Sequence, residues 1–131
     1  MSKNDIEQTV EFNASTHEVY ELLMDENKHA EFTGASANIS REVGDEFSVW
    51  GDYATGKNVE LIPDKKIVQT WRASDWPENA ISTVTFKLNN KDGSCELRFS
   101  QSGIPKDFVK DISKGWEDNY WKLMQKYLSS H

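Results

Sequence analysis

PKDFVKDISKGWEDNYWKLMQKYL, residues 105–128, is the one stretch long and periodic enough to decide the architecture of this chain. Phe108, Ile112, Trp116, Tyr120, Leu123 and Tyr127 follow one another at steps of four, four, four, three and four, which predicts a single apolar stripe on a helix. Asp107, Asp111, Lys114, Asp118, Lys122 and Gln125 fall on the opposite, wet side. Pro105 suits the first helical position, where its missing N–H leaves no bond unmade, and Gly103 breaks the chain just before it. Asp118 and Lys122 stand four apart in the favourable order. At 1.5 Å per residue such a helix runs about 35 Å, enough to cross several strands. Gly115 departs from the pattern, since a mid-helix glycine costs roughly 1 kcal/mol relative to alanine. It implies a bend or close approach to a strand, or open space between helix and sheet beside Trp116; the two are compatible.

Upstream the pattern changes to short elements. Ile6, Gln8, Val10 and Phe12 alternate with Glu7, Thr9 and Glu11, as in a strand. Ser15 and Glu18 form a capping box ahead of a short helix, and Asp25 caps a second one through Phe32, ended by Gly34. Two short helices with no βαβ repeat argue for an antiparallel sheet. Strands are then expected at residues 35–40 (weak), 46–50 with Phe47 and Val49 on one face, and at Val59 and Leu61 after a turn bracketed by Gly51-Asp52 and Gly56-Lys57. Residues 66–72 carry Ile67, Gln69 and Trp71 on one face, and residues 74–79 form a loop. Residues 81–88 and the run through Cys95, Leu97 and Phe99 pair across a turn at 89–93. The resulting order is strand, two short helices, about six antiparallel strands and one long helix. This is an α+β class, with a curved sheet wrapped around the terminal helix and residues 1–131 forming one domain.

Fifteen Lys and Arg against twenty-two Asp and Glu give a net charge of -7. That balance argues against nucleic acid and against a membrane as partners, because both require a basic field. No apolar leader opens the chain and no run of eighteen apolar residues occurs, so a soluble, cytoplasmic protein is expected. Cys95 is the one cysteine and reads as a small buried hydrophobe. Residues 51–57 match seven places of a phosphate-binding loop, but Asn58 replaces the hydroxyl residue and a strand follows instead of a helix, which leaves a hairpin. His17, His29 and His131 have no metal-ligand spacing, and no nucleophile and base stand together, so no metal, cofactor or enzymatic activity is expected. Five Trp, six Phe and four Tyr make much of the apolar volume aromatic, which suits a plain core and a ligand cavity equally well.

Trp71-Arg72, Asp75-Trp76-Pro77-Glu78, Gly103-Ile104-Pro105, Gly115-Trp116 and Tyr120-Trp121, with Val59-Glu60-Leu61-Ile62-Pro63 and Lys66-Ile67-Val68, carry a family resemblance. From about Ile6 to Leu128 the chain resembles the C-terminal domain of the activators of the ninety-kilodalton heat-shock chaperone ATPase, and the stand-alone START-like (SRPBCC, AHSA-type) proteins related to it. The resemblance implies the helix-grip fold, with a cavity between helix and sheet in many members. For function it implies a module holding a small, mostly apolar molecule. Phe47, Trp71, Phe86, Ile112, Trp116 and Tyr120 would be its walls, and Arg72 a polar anchor where it is not simply a surface ion pair. The alternative is a co-chaperone-like adaptor that presents the loop with Trp76 and Pro77 to a heat-shock chaperone ATPase. In the activators a separate N-terminal domain supplies much of the stimulation, and this chain opens directly on the first strand, so activation itself is not expected.

Overall fold

A computed structural model describes residues 5–51, 53–77 and 79–130. Strand β1 (Ile6–Phe12) leads into helices α1 (Thr16–Met24) and α2 (Glu26–Thr33). The Ser15 side chain accepts from the Glu18 N–H and the Glu18 carboxylate accepts from the Ser15 N–H, closing the capping box. Asp25 caps α2 by accepting from Asn27 and Lys28, and Gly34 ends it in the left-handed conformation at φ 75°.

Five strands follow: β2 (Glu46–Val49), β3 (Ala54–Ile62), β4 (Lys66–Ala73), β5 (Ser82–Lys91) and β6 (Ser94–Ser102). With β1 they make one antiparallel sheet in the order β1-β6-β5-β4-β3-β2. Alternation sets the faces: Ile67, Gln69, Trp71 and Ala73 of β4, Val84, Phe86 and Leu88 of β5, and Cys95, Leu97, Phe99 and Gln101 of β6 are all buried on one side.

Four strand boundaries differ from the sequence reading. Residues 35–40 are not a strand, because only Asn38 bridges, to Ser48. Strand β3 already begins at Ala54, so Gly56 and Lys57 lie within it and pair with β2 instead of bracketing a turn. A side chain at Gly56 would meet the Thr70 carbonyl oxygen at 1.8 Å, so the glycine is there for the close approach of the neighbouring strand. A bulge between Asn58 and Glu60 turns Val59 outward, 50% exposed, and Asn58 inward. The β5–β6 hairpin pairs down to Lys91 and Ser94, leaving Asp92 (φ 52°) and Gly93 (φ 91°) as a two-residue turn.

The terminal rod is helical from Lys106 to Ser130 but not uniform. A 3₁₀ turn (Lys106–Phe108) opens α3 (Val109–Trp116), a π turn spans Glu117–Trp121, and α4 (Lys122–Ser130) completes it. Pro105 stands just ahead of the first turn with an extended ψ of 134°. At the π turn the Lys122 N–H donates to the Glu117 carbonyl, one residue further back than in an α-helix. That extra residue rotates the register. Ile112, Trp116 and Tyr120 are buried as the periodicity predicts, but beyond them Trp121 and Met124 are the buried pair, and Leu123 and Tyr127 are only half-buried. Adjacent Tyr120 and Trp121 are therefore both buried.

Candidate functional site

Two side-chain amides, one fully buried and one half-buried, fix the rod to the sheet. The Gln101 amide, fully buried, accepts from Trp116 Nε1 at 2.8 Å and donates to Ser82 Oγ at 2.9 Å, and Ser82 donates on to the Trp71 carbonyl. Gln8 accepts from Trp121 Nε1 at 2.6 Å and donates to the Ser113 carbonyl. Each indole is thus satisfied inside the core and held in one orientation.

Between the rod and the β2–β3 turn lies a cleft of about 400 Å³, lined by Trp50, Tyr53, Trp71, Asp111, Ile112, Gly115, Trp116, Asn119 and Tyr120 and open on one side. Trp71, Trp116 and Tyr120 are its buried floor, while half-buried Trp50 and 40% exposed Tyr53 stand at its rim. Gly115 makes room for it: a Cβ built there meets nothing nearer than Asn119 Nδ2 at 3.8 Å. Of the expectations for this glycine, close approach to a strand is not observed, and the space beside Trp116 is the cleft that Gly115 helps to line.

Behind the floor, Tyr120 Oη is hydrogen-bonded to His29 Nε2 at 2.9 Å. His29 is 2% exposed and its Nδ1 has no partner among the described residues. Burial lowers the imidazole from its ordinary 6.5 to about 4, and raises the Tyr120 hydroxyl well above its ordinary range. Both groups are neutral at physiological pH. The Cys95 thiol, fully buried, is pushed up to about 11 by the same desolvation.

The model of the family described as Activator of Hsp90 ATPase homolog 1-like protein matches residues 13–129. The chain belongs to that family. An activator of 90 kDa heat shock protein ATPase homolog from Dictyostelium discoideum is 34% identical over 111 residues, spanning 83% of this chain and 29% of its own length. Activator of 90 kDa heat shock protein ATPase homolog 1 from Homo sapiens is 30% identical over 111 residues, 85% of this chain and 33% of its own. The chain therefore spans about a third of the length of these curated relatives. In fold it matches the crystal structure of an HSP90 activator from Plasmodium falciparum with a TM-score of 0.89 at 23% identity, covering 95% of this chain and 96% of that one. The helix-grip, START-like architecture expected of the family is the one observed.

Against this family fold the individual site expectations separate. Trp71, Ile112, Trp116 and Tyr120 come together on the cleft. Phe47 and Phe86 do not reach it; they line a void of about 20 Å³ deeper between sheet and α1–α2, too small for a ligand. Arg72 is no anchor for a cleft ligand. It points off the other face of β4, where its guanidinium donates to the carbonyls of Pro77 at 2.6 Å, Ala80 at 3.0 Å and Trp76 at 3.2 Å, fastening the loop. Trp76 is not a partner surface either: it is 4% exposed, packed edge-on against Trp71 at 5.4 Å and near Phe108 at 6.3 Å. Pro77 beside it is exposed. Sequence reading missed Trp50, Tyr53, Asp111 and Asn119. The only signal for the first two was an aromatic on either side of Gly51-Asp52.

Proposed function

We propose that residues 1–131 act as one START-like binding domain that holds a small, mostly apolar molecule in this cleft, without catalysis and in the cytoplasm. The observation that carries the reading is an aromatic-floored cleft of about 400 Å³ kept open by a mid-helix glycine. Its volume lies in the range of small-molecule sites, and a glycine that weakens the helix without serving any close approach is accounted for by the space it leaves. Trp71 and Trp116 in the floor make their own reporters. A library of small apolar compounds should yield members that raise the melting temperature and change Trp fluorescence together. Complete absence of both responses across such a library, amines with apolar substituents included, would refute the reading.

A second reading is favoured by a different observation, the 30–34% identity to proteins named as activators of a 90 kDa heat shock protein ATPase. It makes a chaperone of that class a partner, contacted by an outer surface that includes Pro77 and not the buried Trp76. Titrating the purified chaperone against the labelled chain tests it, and no change in anisotropy up to high micromolar concentration would exclude it.

A further inference from the structure

Four centroid separations link five rings around the cleft. Tyr53 to Trp71 is 6.4 Å, Trp71 to Trp116 5.8 Å, Trp116 to Tyr120 4.5 Å and Tyr120 to Trp50 6.1 Å. Trp50 and Tyr53 stand three residues apart on one turn, so the circuit begins and ends on the same hairpin. Several aromatic rings around one cleft can stabilise a cation with apolar substituents, because a ring face turned toward it carries the negative part of the ring quadrupole. An uncharged hydrocarbon gains nothing further from that arrangement beyond buried area.

The charge around the circuit has one sign. Asp111 is the charged group among the lining residues, none of which is basic, and it has no ion-pair partner among the described residues. The Tyr53 hydroxyl at the rim is held above its ordinary range by burial first, and then by the carboxylates of Asp75 and Asp111. The whole chain carries a net charge of -7, which draws cations and repels anions at long range.

We infer that the ligand of the cleft is a small organic cation, an ammonium group bearing methyl or larger apolar substituents, seated among the five rings with Asp111 beside it. This rests on the binding reading above and narrows its ligand to one chemical class.

Choline and its neutral carbon isostere 3,3-dimethylbutan-1-ol, titrated into the full chain and followed by the indole N–H resonances, separate charge from shape. The cation should bind at least roughly tenfold more tightly than the isostere, and roughly tenfold more weakly to Asp111→Asn and to Tyr53→Leu. Its affinity should also fall as salt is raised. Both substituted positions are exposed, so both variants should melt with the wild type, and Gly115→Leu, which fills the cleft from the rod, should abolish binding in a third way. Equal affinity for the two probes, or binding of the isostere or of library compounds without the cation, overturns the inference while leaving an apolar cleft in place. Cation binding that Asp111→Asn does not weaken also overturns it. If neither probe nor any apolar compound binds, the binding reading falls with it.

Discussion

Gly115→Ala tests the cleft without any ligand in hand. The substitution removes the helix-propensity penalty of glycine, worth about 0.5 to 1 kcal/mol in a helix interior. Whether that gain survives depends on what the new methyl meets, and the nearest heavy atom is Asn119 Nδ2 at 3.8 Å, an ordinary van der Waals separation. No steric term offsets the gain, and the methyl, with that single contact at ordinary separation, adds little burial. The variant should therefore be more stable by about 0.5 to 1 kcal/mol, seen as a higher urea midpoint at unchanged slope and a melting temperature up by roughly 2 to 4 °C for a chain of this size. Because the methyl protrudes into the cleft wall, the same variant should bind any cleft ligand more weakly, so stability and affinity move in opposite directions. A lower melting temperature would mean that the methyl had struck packed atoms. The space beside Trp116 would then not exist, and the reasoning from Gly115 to a binding site would fail at its first step.

Three further outcomes follow from the packing. Gln101→Leu strips the Trp116 indole of its acceptor inside the core, and equilibrium unfolding in urea should show a loss of about 1 to 3 kcal/mol. Trp76→Ala should cost about 3 to 5 kcal/mol in the same assay, as a large buried ring does, whereas a surface tryptophan would cost almost nothing. His29, lowered from 6.5 to about 4 in the folded chain, binds fewer protons there than in the unfolded chain across that interval, so its contribution is complete above pH 6.5 and is lost as pH falls toward 4. The loss amounts to about 3 kcal/mol, and His29→Gln should be more stable than this slope allows the wild type to be at pH 4.5, relative to their difference at pH 7.5. Parallel stability curves for the two proteins over that range would contradict a neutral buried imidazole.

The strand faces were legible because alternation at β4, β5 and β6 is strict, and both short helices announced themselves through Ser15, Asp25 and Gly34. The rod was legible only as far as Tyr120. Periodicity at 3.6 residues has no way to register an inserted residue, so it continued to Leu123 and Tyr127 where the π turn hands the core to Trp121 and Met124. The bulge at Val59 misled in the same manner, since an alternating pattern does not show which residue a partner strand skips. Trp76 looked like a surface ring because a loop of Asp, Pro and Glu surrounded it; its burial depends on the strand face that carries Trp71 and on Phe108, which is distant in sequence. Half the cleft was hidden for the same reason. Trp50 and Tyr53 sit in a turn, where residue type says nothing about what lies across the gap.

One of the two rings at the rim, Trp50, hangs from the outermost strand of the sheet. β2 has four residues, pairs with β3 on one side, and on the other is held by the Asn38–Ser48 bridge and a bond from the Gly51 N–H to the Ser36 carbonyl. The floor, by contrast, is nailed down through Gln101 to the middle of the sheet. Fraying of β2, an event far cheaper than global unfolding, is thus enough to move Trp50 while Tyr53, whose carbonyl accepts from the Ser74 N–H, and Trp71 and Trp116 stay where they are. A guest's comings and goings would be timed by the weakest edge of the molecule and its grip by the strongest.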